Sequence, residues 1–389
     1  MRVDDVVSIG EMRRLAVRRL PKILGDWLEG GAEDELAVRR NIEQFRSNCL
    51  VPRYLVDISQ ADATTKLFDR TFACPFGIAP TGYPALFWPE GDLMLARAAA
   101  DANVPFIMSG ASTATIESIA AVAPNHCWFQ LYPARDEGIT RDLVDRARDA
   151  GLAALVVTVD VPAPPKRDRD LRNKFRMPLQ LRPSLILDGV LHPSWTIRYL
   201  STGGLPIMAN WARYAPKGAN ASGVALFAGT QYYPTLTWRE LENIRERWPR
   251  KLILKGIMDP EDARSAAAMG IDGIIVSNHG GRQSDRLPTP VEMLPRVVEA
   301  VPDVAVMMDG GIRRGADVVT ALCLGARFVF VGRGVLYGLA VSGRRGVHRS
   351  LTILKDEMLT TMRQIGRTTV EELALTAVIA THTGCSDTP

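Results

Sequence analysis

Seven consecutive residues, Ser277-Asn278-His279-Gly280-Gly281-Arg282-Gln283, follow the apolar run GIDGIIV. A turn needs only a Gly or an Asn. A His, an Arg and a Gln in one short loop form a chemical set. An imidazole titrates near neutral pH, so His279 is a candidate general base. Arg282, three residues on, suits a carboxylate. Asp160 closes another apolar run and is the carboxylate expected to orient His279 and stabilise its imidazolium. Gly280 and Gly281 are expected to permit close approach of a substrate. The plainer alternative is a histidine hydrogen-bonded in the core.

A second set lies nearer the C-terminus. Asp309-Gly310-Gly311-Ile312-Arg313-Arg314-Gly315 is followed by Gly332-Arg333. Glycines that let backbone N–H groups approach, with two guanidinium groups, suit a phosphate. A phosphate-bearing cofactor is therefore expected there. The alternative is arginines at helix caps on the surface.

Both sets need elements to hold them. Eight β-rich apolar runs recur: 75–80, 104–110, 127–132, 152–160, 251–257, 273–278, 304–310 and 328–333. They are nearly continuous in apolar residues, the pattern of parallel strands buried on both faces. Helix-like segments lie between them, such as 91–102, 140–151 and 259–270. The last opens with Asp259-Pro260, an N-cap before a first-turn proline, and closes at Gly270. Eight strand–helix units predict a (β/α)8 TIM barrel, an α/β fold. The alternative, a doubly wound open sheet, is disfavoured because no G-x-G-x-x-G follows strand 1. Two segments stand outside the rhythm: a helical extension over 1–70 and a long interruption over about 162–240, which reads as a lid or a docking segment. The barrel itself is expected over about 70–350, within a single domain spanning 1–389.

A barrel of this kind builds its site at the C-terminal ends of its strands. Those ends carry Thr81-Gly82, Ser109, Gln130 and Tyr132, Thr158 and Asp160 with Arg167 beyond, Lys255, the heptad, Asp309 and Gly332-Arg333. Singly, each is an ordinary cap or turn residue. Jointly, so many buried polar groups are costly unless they face a shared polar ligand.

Composition excludes several classes. The chain has 389 residues, and its net charge of +4 is too small an excess to imply a nucleic-acid partner. Five scattered cysteines (Cys49, Cys74, Cys127, Cys323 and Cys385) with no C-x-x-C pair suggest reduced thiols in the cytoplasm, not disulfides or a zinc site. The N-terminus has no apolar signal-peptide core, and no 18-residue apolar run is present.

The heptad resembles the signature of the FMN-dependent 2-hydroxy acid oxidase and dehydrogenase family, which includes glycolate oxidase and lactate dehydrogenases. LPKILGDWLEGGAEDE, PTG, WFQLY, TVDVP, RDLRNKF, LKG, DGGIRRGADVVTALCLGA and GRGVLYG match in order over nearly the whole chain. LDGVLHPSW (187–195) and Pro80-Thr81-Gly82 resemble the mandelate dehydrogenase branch. The resemblance implies oxidation of an (S)-2-hydroxy acid to the 2-oxo acid with FMN as cofactor. It implies His279 as base with Asp160, Arg167 and Arg282 on the substrate carboxylate, and Tyr132 near the substrate oxygens. Lys255 is implied at the flavin N1–O2 edge, Thr81 and Gly82 near N5, and Ser109, Gln130 and Thr158 on the pyrimidine edge. Ser277 is implied beside the cofactor. Asp309, Gly311, Arg313, Gly332 and Arg333 are implied along the ribityl chain and phosphate. A homotetramer is also implied.

Three positions depart from the family pattern. Trp27 stands where a Tyr usually offers its hydroxyl to the substrate; it supplies an indole N–H donor or fills space. Arg167 follows Pro164-Pro165, which stiffen its backbone. Ala111 occupies the place of a bulkier residue in small-substrate oxidases, so a larger, aromatic acid is expected. Gly82 resembles the dehydrogenase side of the family. Segment 178–217, with Trp195, Tyr199 and Trp211 beside Arg182, Arg198, Arg213 and Lys217, suits a membrane surface and a quinone acceptor, with the protein peripheral on the inner face. The same segment also reads as a plain lid. Remaining alternatives are a tailoring oxidase acting on a peptide or cofactor precursor, an oxygen-using oxidase, another FMN barrel, and a flavin binder that has lost catalysis.

Overall fold

In the computed structural model, which describes residues 2–175, 183–231 and 236–380, eight parallel strands close into a barrel. They are β1 (Phe76–Ile78), β2 (Phe106–Met108), β3 (Cys127–Leu131), β4 (Ala154–Thr158), β5 (Lys251–Ile257), β6 (Gly273–Val276), β7 (Ala305–Asp309) and β8 (Phe328–Val331). β8 pairs with β1 through Val329–Phe76, Phe330–Gly77 and Val331–Ile78, which completes the ring. The TIM-barrel expectation holds.

The helices are α1 (Ile9–Arg19), α2 (Lys22–Glu29), α3 (Leu36–Arg46), α4 (Gly91–Asp101), α5 (Ile116–Val122), α6 (Glu137–Asp149), α7 (Asp168–Asn173), α8 (Pro183–Leu191), α9 (Pro193–Ser201), α10 (Ala221–Thr230), α11 (Trp238–Arg247), α12 (Pro260–Ala268), α13 (Pro290–Ala300), α14 (Gly315–Cys323) and α15 (Arg333–Gln364). α15 is interrupted at Ser342 and Gly343. The predicted caps form: Asp259 accepts from the Glu261 N–H, and Pro260 opens α12. α6 begins earlier than 140, because Asp136 caps it by accepting from the Gly138 N–H.

Strand side chains alternate between two cores. One lies inside the barrel and contains Ile107, Trp128, Val156, Ile253, Ile275 and Met307. The other lies between strands and helices. A hairpin formed by 65–67 and 70–72 adds Leu67 and Phe72 to the inner core. Moving two residues along each strand from an inner apolar residue reaches Ser109, Gln130, Thr158, Lys255, Ser277 and Asp309. Period two therefore stacks a polar layer directly on an apolar one.

Segment 162–240, which shows no helical pattern in the sequence, contains α7 to α10 and the start of α11. Its helices are short, and α8 and α9 leave most of their aliphatic residues exposed, so periodicity alone hides them. Arg182 and Cys385 lie outside the described residues.

Candidate active site

The C-terminal mouth of the barrel opens into a cleft. Thr81, Gly82, Ser109, Tyr132, Thr158, Lys255, His279, Arg282, Asp309, Gly311, Arg313, Gly332, Arg333 and Trp27 all line it. Ala111 and Arg167 line an adjoining chamber. Asp160, Ser277 and Gln130 stand behind these residues and reach the cleft through hydrogen bonds or a free polar atom.

His279 Nδ1 lies 3.0 Å from Asp160 Oδ1. That contact leaves Nε2 as the ring nitrogen available to the cleft. Burial alone would raise the Asp160 pKa, but His279 and Lys255 outweigh it and hold the carboxyl below its ordinary value. The loop geometry is unusual: His279, Gly280 and Gly281 all have left-handed φ, at 58°, 65° and 76°. The Ser277 hydroxyl accepts from the His279 N–H at 3.0 Å and helps hold that turn.

Gly280 lines the cleft, whereas Gly281 serves a different purpose from the one expected. A Cβ at Gly281 would stand 2.6 Å from the Val38 nitrogen, and the Gly281 carbonyl accepts from the Ala32 N–H at 2.9 Å. Gly281 therefore admits the N-terminal extension, not a substrate. Gly311 does the same, since its Cβ would meet the Asn41 carbonyl oxygen at 2.0 Å.

Lys255 is buried at a strand irregularity. Its Nζ donates to Ser277 Oγ at 2.9 Å and pairs with Asp309 at 3.0 Å. Burial opposes its charge, but Asp309 and Asp160 prevail and raise its pKa. The neighbouring Gly256 has φ 106°, and a Cβ there would sit 2.4 Å from the Asp160 Cβ. The irregularity thus brings the carboxylate behind His279 close to the lysine strand.

Arg282 is half-buried in the cleft wall. Burial, then its neighbours Arg167 and Arg333, push its pKa well below the guanidinium value. Its Nη1 donates to the carbonyls of Trp27 and Gly30 at 2.9 and 2.7 Å, and the group lies over the Trp27 ring. Arg167 donates to the Arg282 carbonyl at 3.1 Å. Its nearest carboxylate, Asp170, is 3.9 Å away. Cations crowded this way favour an incoming anion. Burial also raises the Tyr132 hydroxyl pKa, reinforced by Asp160, so this residue stays a neutral donor.

Arg333 behaves unlike a free phosphate ligand. Its three nitrogens donate to the carbonyls of Leu28, Gly280 and Gly30. Two arginines of the barrel thus satisfy the carbonyls at the C-terminal end of α2. The Arg313 guanidinium donates to the Ile312 carbonyl and packs beside Tyr337. Trp27 stacks on Phe87 and Phe175, at 5.5 Å from each.

Sequence reasoning missed the residues that seat the extension. Asn41 and Asn278 exchange two amide hydrogen bonds of 2.8 Å. Buried Asp285 accepts from the Asp34 and Ala37 N–H groups. No spacing pattern signals these long-range pairs.

An FMN fits the polar atoms left over. Thr81 Oγ1, Gln130 Nε2, Thr158 Oγ1 and Asp309 Oδ1 are buried without partners. Ser109 Oγ and the Gly110 N–H hold the other end of the Gln130 amide, leaving its Nε2 free. The N-terminus of α15 opens at the cleft wall beside Gly332 and Arg333, a natural seat for a phosphate.

Comparison with known proteins follows the same lines. The FMN-dependent dehydrogenase profile matches residues 16–380. (S)-Mandelate dehydrogenase of Pseudomonas putida is 40% identical over 363 residues, covering 93% of this chain and 91% of that protein. A putative L-lactate dehydrogenase of Mycobacterium tuberculosis is 40% identical over 375 residues, covering 96% and 89%. An L-lactate dehydrogenase of Pseudomonas aeruginosa is 37% identical over 370 residues, covering 95% and 97%. Among solved structures, one described as the monotopic membrane protein (S)-mandelate dehydrogenase superposes with a TM-score of 0.92 at 39% identity, covering 95% of this chain and 98% of its own.

Proposed function

The chain belongs to the FMN-dependent dehydrogenase family, and we propose that within it the protein oxidises an (S)-2-hydroxy acid with a bulky or aromatic side chain to the 2-oxo acid. The observation that carries this reading is the His279–Asp160 pair in the same cleft as the crowded arginines.

Bound FMN supplies the two-electron redox chemistry; the chain supplies position, charge and a proton acceptor. Arg282 and Arg167 receive the substrate carboxylate, which relieves their mutual repulsion and fixes the α-carbon in the cleft. The neutral Tyr132 hydroxyl donates a hydrogen bond to a substrate oxygen. His279 takes a proton at Nε2, while Asp160 holds Nδ1 and stabilises the imidazolium. Lys255 keeps a positive charge at the cleft floor, where it offsets negative charge developing on the cofactor. Thr81, Ser109, Gln130 and Thr158 would hold the flavin ring, and Asp309, Gly311, Arg313, Gly332 and Arg333 would take the ribityl phosphate side. Trp27 forms an aromatic wall in place of a hydroxyl.

We propose further that the electrons leave to a membrane quinone, with the insertion resting on the bilayer. Residues Ile186, Leu187, Val190 and Leu191 of α8 and Ile197 and Leu200 of α9 are all more than half exposed. No helix among the described residues is long and apolar enough to cross a membrane, and the relative described as monotopic fits a protein that lies on one. The face is aliphatic, unlike the aromatic and basic patch expected. Trp211 is buried, Trp195 donates to the Leu86 carbonyl at 2.7 Å, and Arg198 covers Trp88.

The test is anaerobic mixing of the FMN-loaded protein with a panel of 2-hydroxy acids, reading the loss of oxidised-flavin absorbance. Rapid bleaching by mandelate-type (S)-acids supports the reading. Bleaching by lactate alone keeps the chemistry and removes the bulky substrate. No bleaching by any acid, with FMN retained, overturns it and favours a tailoring oxidase with another substrate.

A further inference from the structure

Beside the cleft lies a second space, a chamber of about 930 Å³. The two share Tyr132 and Thr158, and Arg167 stands in the chamber wall. A carboxylate on Arg167 therefore leaves its α-carbon substituent facing the chamber. This argument rests on the function proposed above. The volume is near the upper end for small-molecule pockets, well beyond what one phenyl ring fills.

Two loops form the wall nearest the cleft. Gly82 and Ala111 touch, since a Cβ on Gly82 would sit 3.3 Å from the Ala111 Cβ, and the Tyr83 N–H donates to the Ala111 carbonyl at 3.2 Å. Behind that loop stands Trp211, supplied by the insertion. Its indole N–H donates to the Gly110 carbonyl at 3.0 Å. The turn carrying it is latched twice more: the Ala209 N–H donates to the Ser112 carbonyl at 3.2 Å, and the fully buried Asn210 accepts from the Ile116 N–H at 3.1 Å. Met208 lies one turn before Trp211 in the same wall. Trp211 is 6% exposed, so it turns a small face to the chamber, and that face is fixed by the ring's own hydrogen bond and by the two of its turn.

We infer that Trp211 is a specificity-determining residue, and that the preferred substrates are (S)-2-hydroxy acids bearing a fused-ring aromatic side chain that packs on it. The insertion thus shapes the substrate pocket besides presenting its outer face.

The experiment is stopped-flow reduction of the FMN-loaded protein, without any acceptor, by (S)-lactate, (S)-mandelate and (S)-2-naphthylglycolate. The naphthyl acid is expected to exceed lactate about 10-fold in the second-order rate constant of bleaching. Trp211→Ala is expected to cut the naphthyl-to-lactate ratio about 10-fold, and Trp211→Phe about 3-fold, from lost stacking and lost fixation. Met208→Ala, expected to lower the same ratio, serves if Trp211→Ala does not fold. A ratio unchanged in Trp211→Phe and Met208→Ala overturns the inference. So does an unchanged ratio accompanied by a raised acceptor KM in steady-state turnover, which assigns the chamber to the electron acceptor. Failure of all three acids to bleach the wild-type flavin overturns the functional reading itself.

Discussion

The barrel mouth and the outer helices of the insertion are both decorations on the same strands, and they treat water in opposite ways. At the mouth, polar groups are buried: Lys255, Asp309 and Ser277 are less than a tenth exposed, and the lysine bonds to both of the others. On α8 and α9, aliphatic side chains stand in solvent along one face of each helix. Each arrangement is costly alone. A buried polar cluster with unpartnered oxygens calls for a polar ligand that enters it, whereas an exposed aliphatic face calls for an apolar surface outside the chain. The contrast separates where the chemistry occurs from where the protein rests.

The sharpest way to break this separation is to remove the base. His279→Ala is expected to slow flavin reduction by about 10³-fold while FMN stays bound. A loss below tenfold would show that the mouth does not use this imidazole as a base.

The complementary change lies on the other region. The combined substitution Leu187→Ser, Val190→Ser, Leu191→Ser and Ile197→Ser is expected to weaken partition onto liposomes on the order of 100-fold. Anaerobic reduction by a hydroxy acid is expected to stay within about twofold of wild type. A parallel collapse of both would show that the two regions form one unit.

A smaller effect is expected at the joint between the mouth and the N-terminal extension. Arg282→Met is expected to lower kcat/KM about 30-fold, chiefly through KM, because it removes a charged partner of the carboxylate. It also frees the Trp27 carbonyl and leaves the Gly30 carbonyl to Arg333 alone, so a lower thermal midpoint is expected alongside.

The smallest effect is a pH effect. The folded-state pKa of Lys255 is raised, so its contribution to stability is complete below its unfolded pKa of about 10.4 and is lost as pH rises through the higher folded value. The difference in thermal midpoint between wild type and Lys255→Met is expected to stay constant from about pH 7 to 10 and to shrink above that. A difference already shrinking near neutral pH would place the lysine outside its ion pair with Asp309.

Much of this was legible in the chain. The eight apolar runs marked the strands because parallel strands buried on both faces need continuous apolar sequence. The polar residues that follow them marked the site because the chain reverses there and period two turns Thr158, Lys255 and Asp309 inward. The insertion was not legible: α8 and α9 carry exposed aliphatic faces with no covering partner among the described residues, and Trp195 and Trp211 looked like surface aromatics. Only packing shows that they point at the Leu86 and Gly110 carbonyls.

Sequence by itself determined the barrel, its phase and the identity of the groups at its mouth, because strand periodicity and turn chemistry are local properties. Tertiary structure alone decided what those groups contact. Gly281 and Gly311 read as room for a ligand, and packing shows that both also make room for α3. Arg333 read as a phosphate ligand, and packing shows that it also holds the end of α2. Each of these contacts joins residues more than 200 positions apart, and a pairing over such distances leaves no periodic trace in either partner.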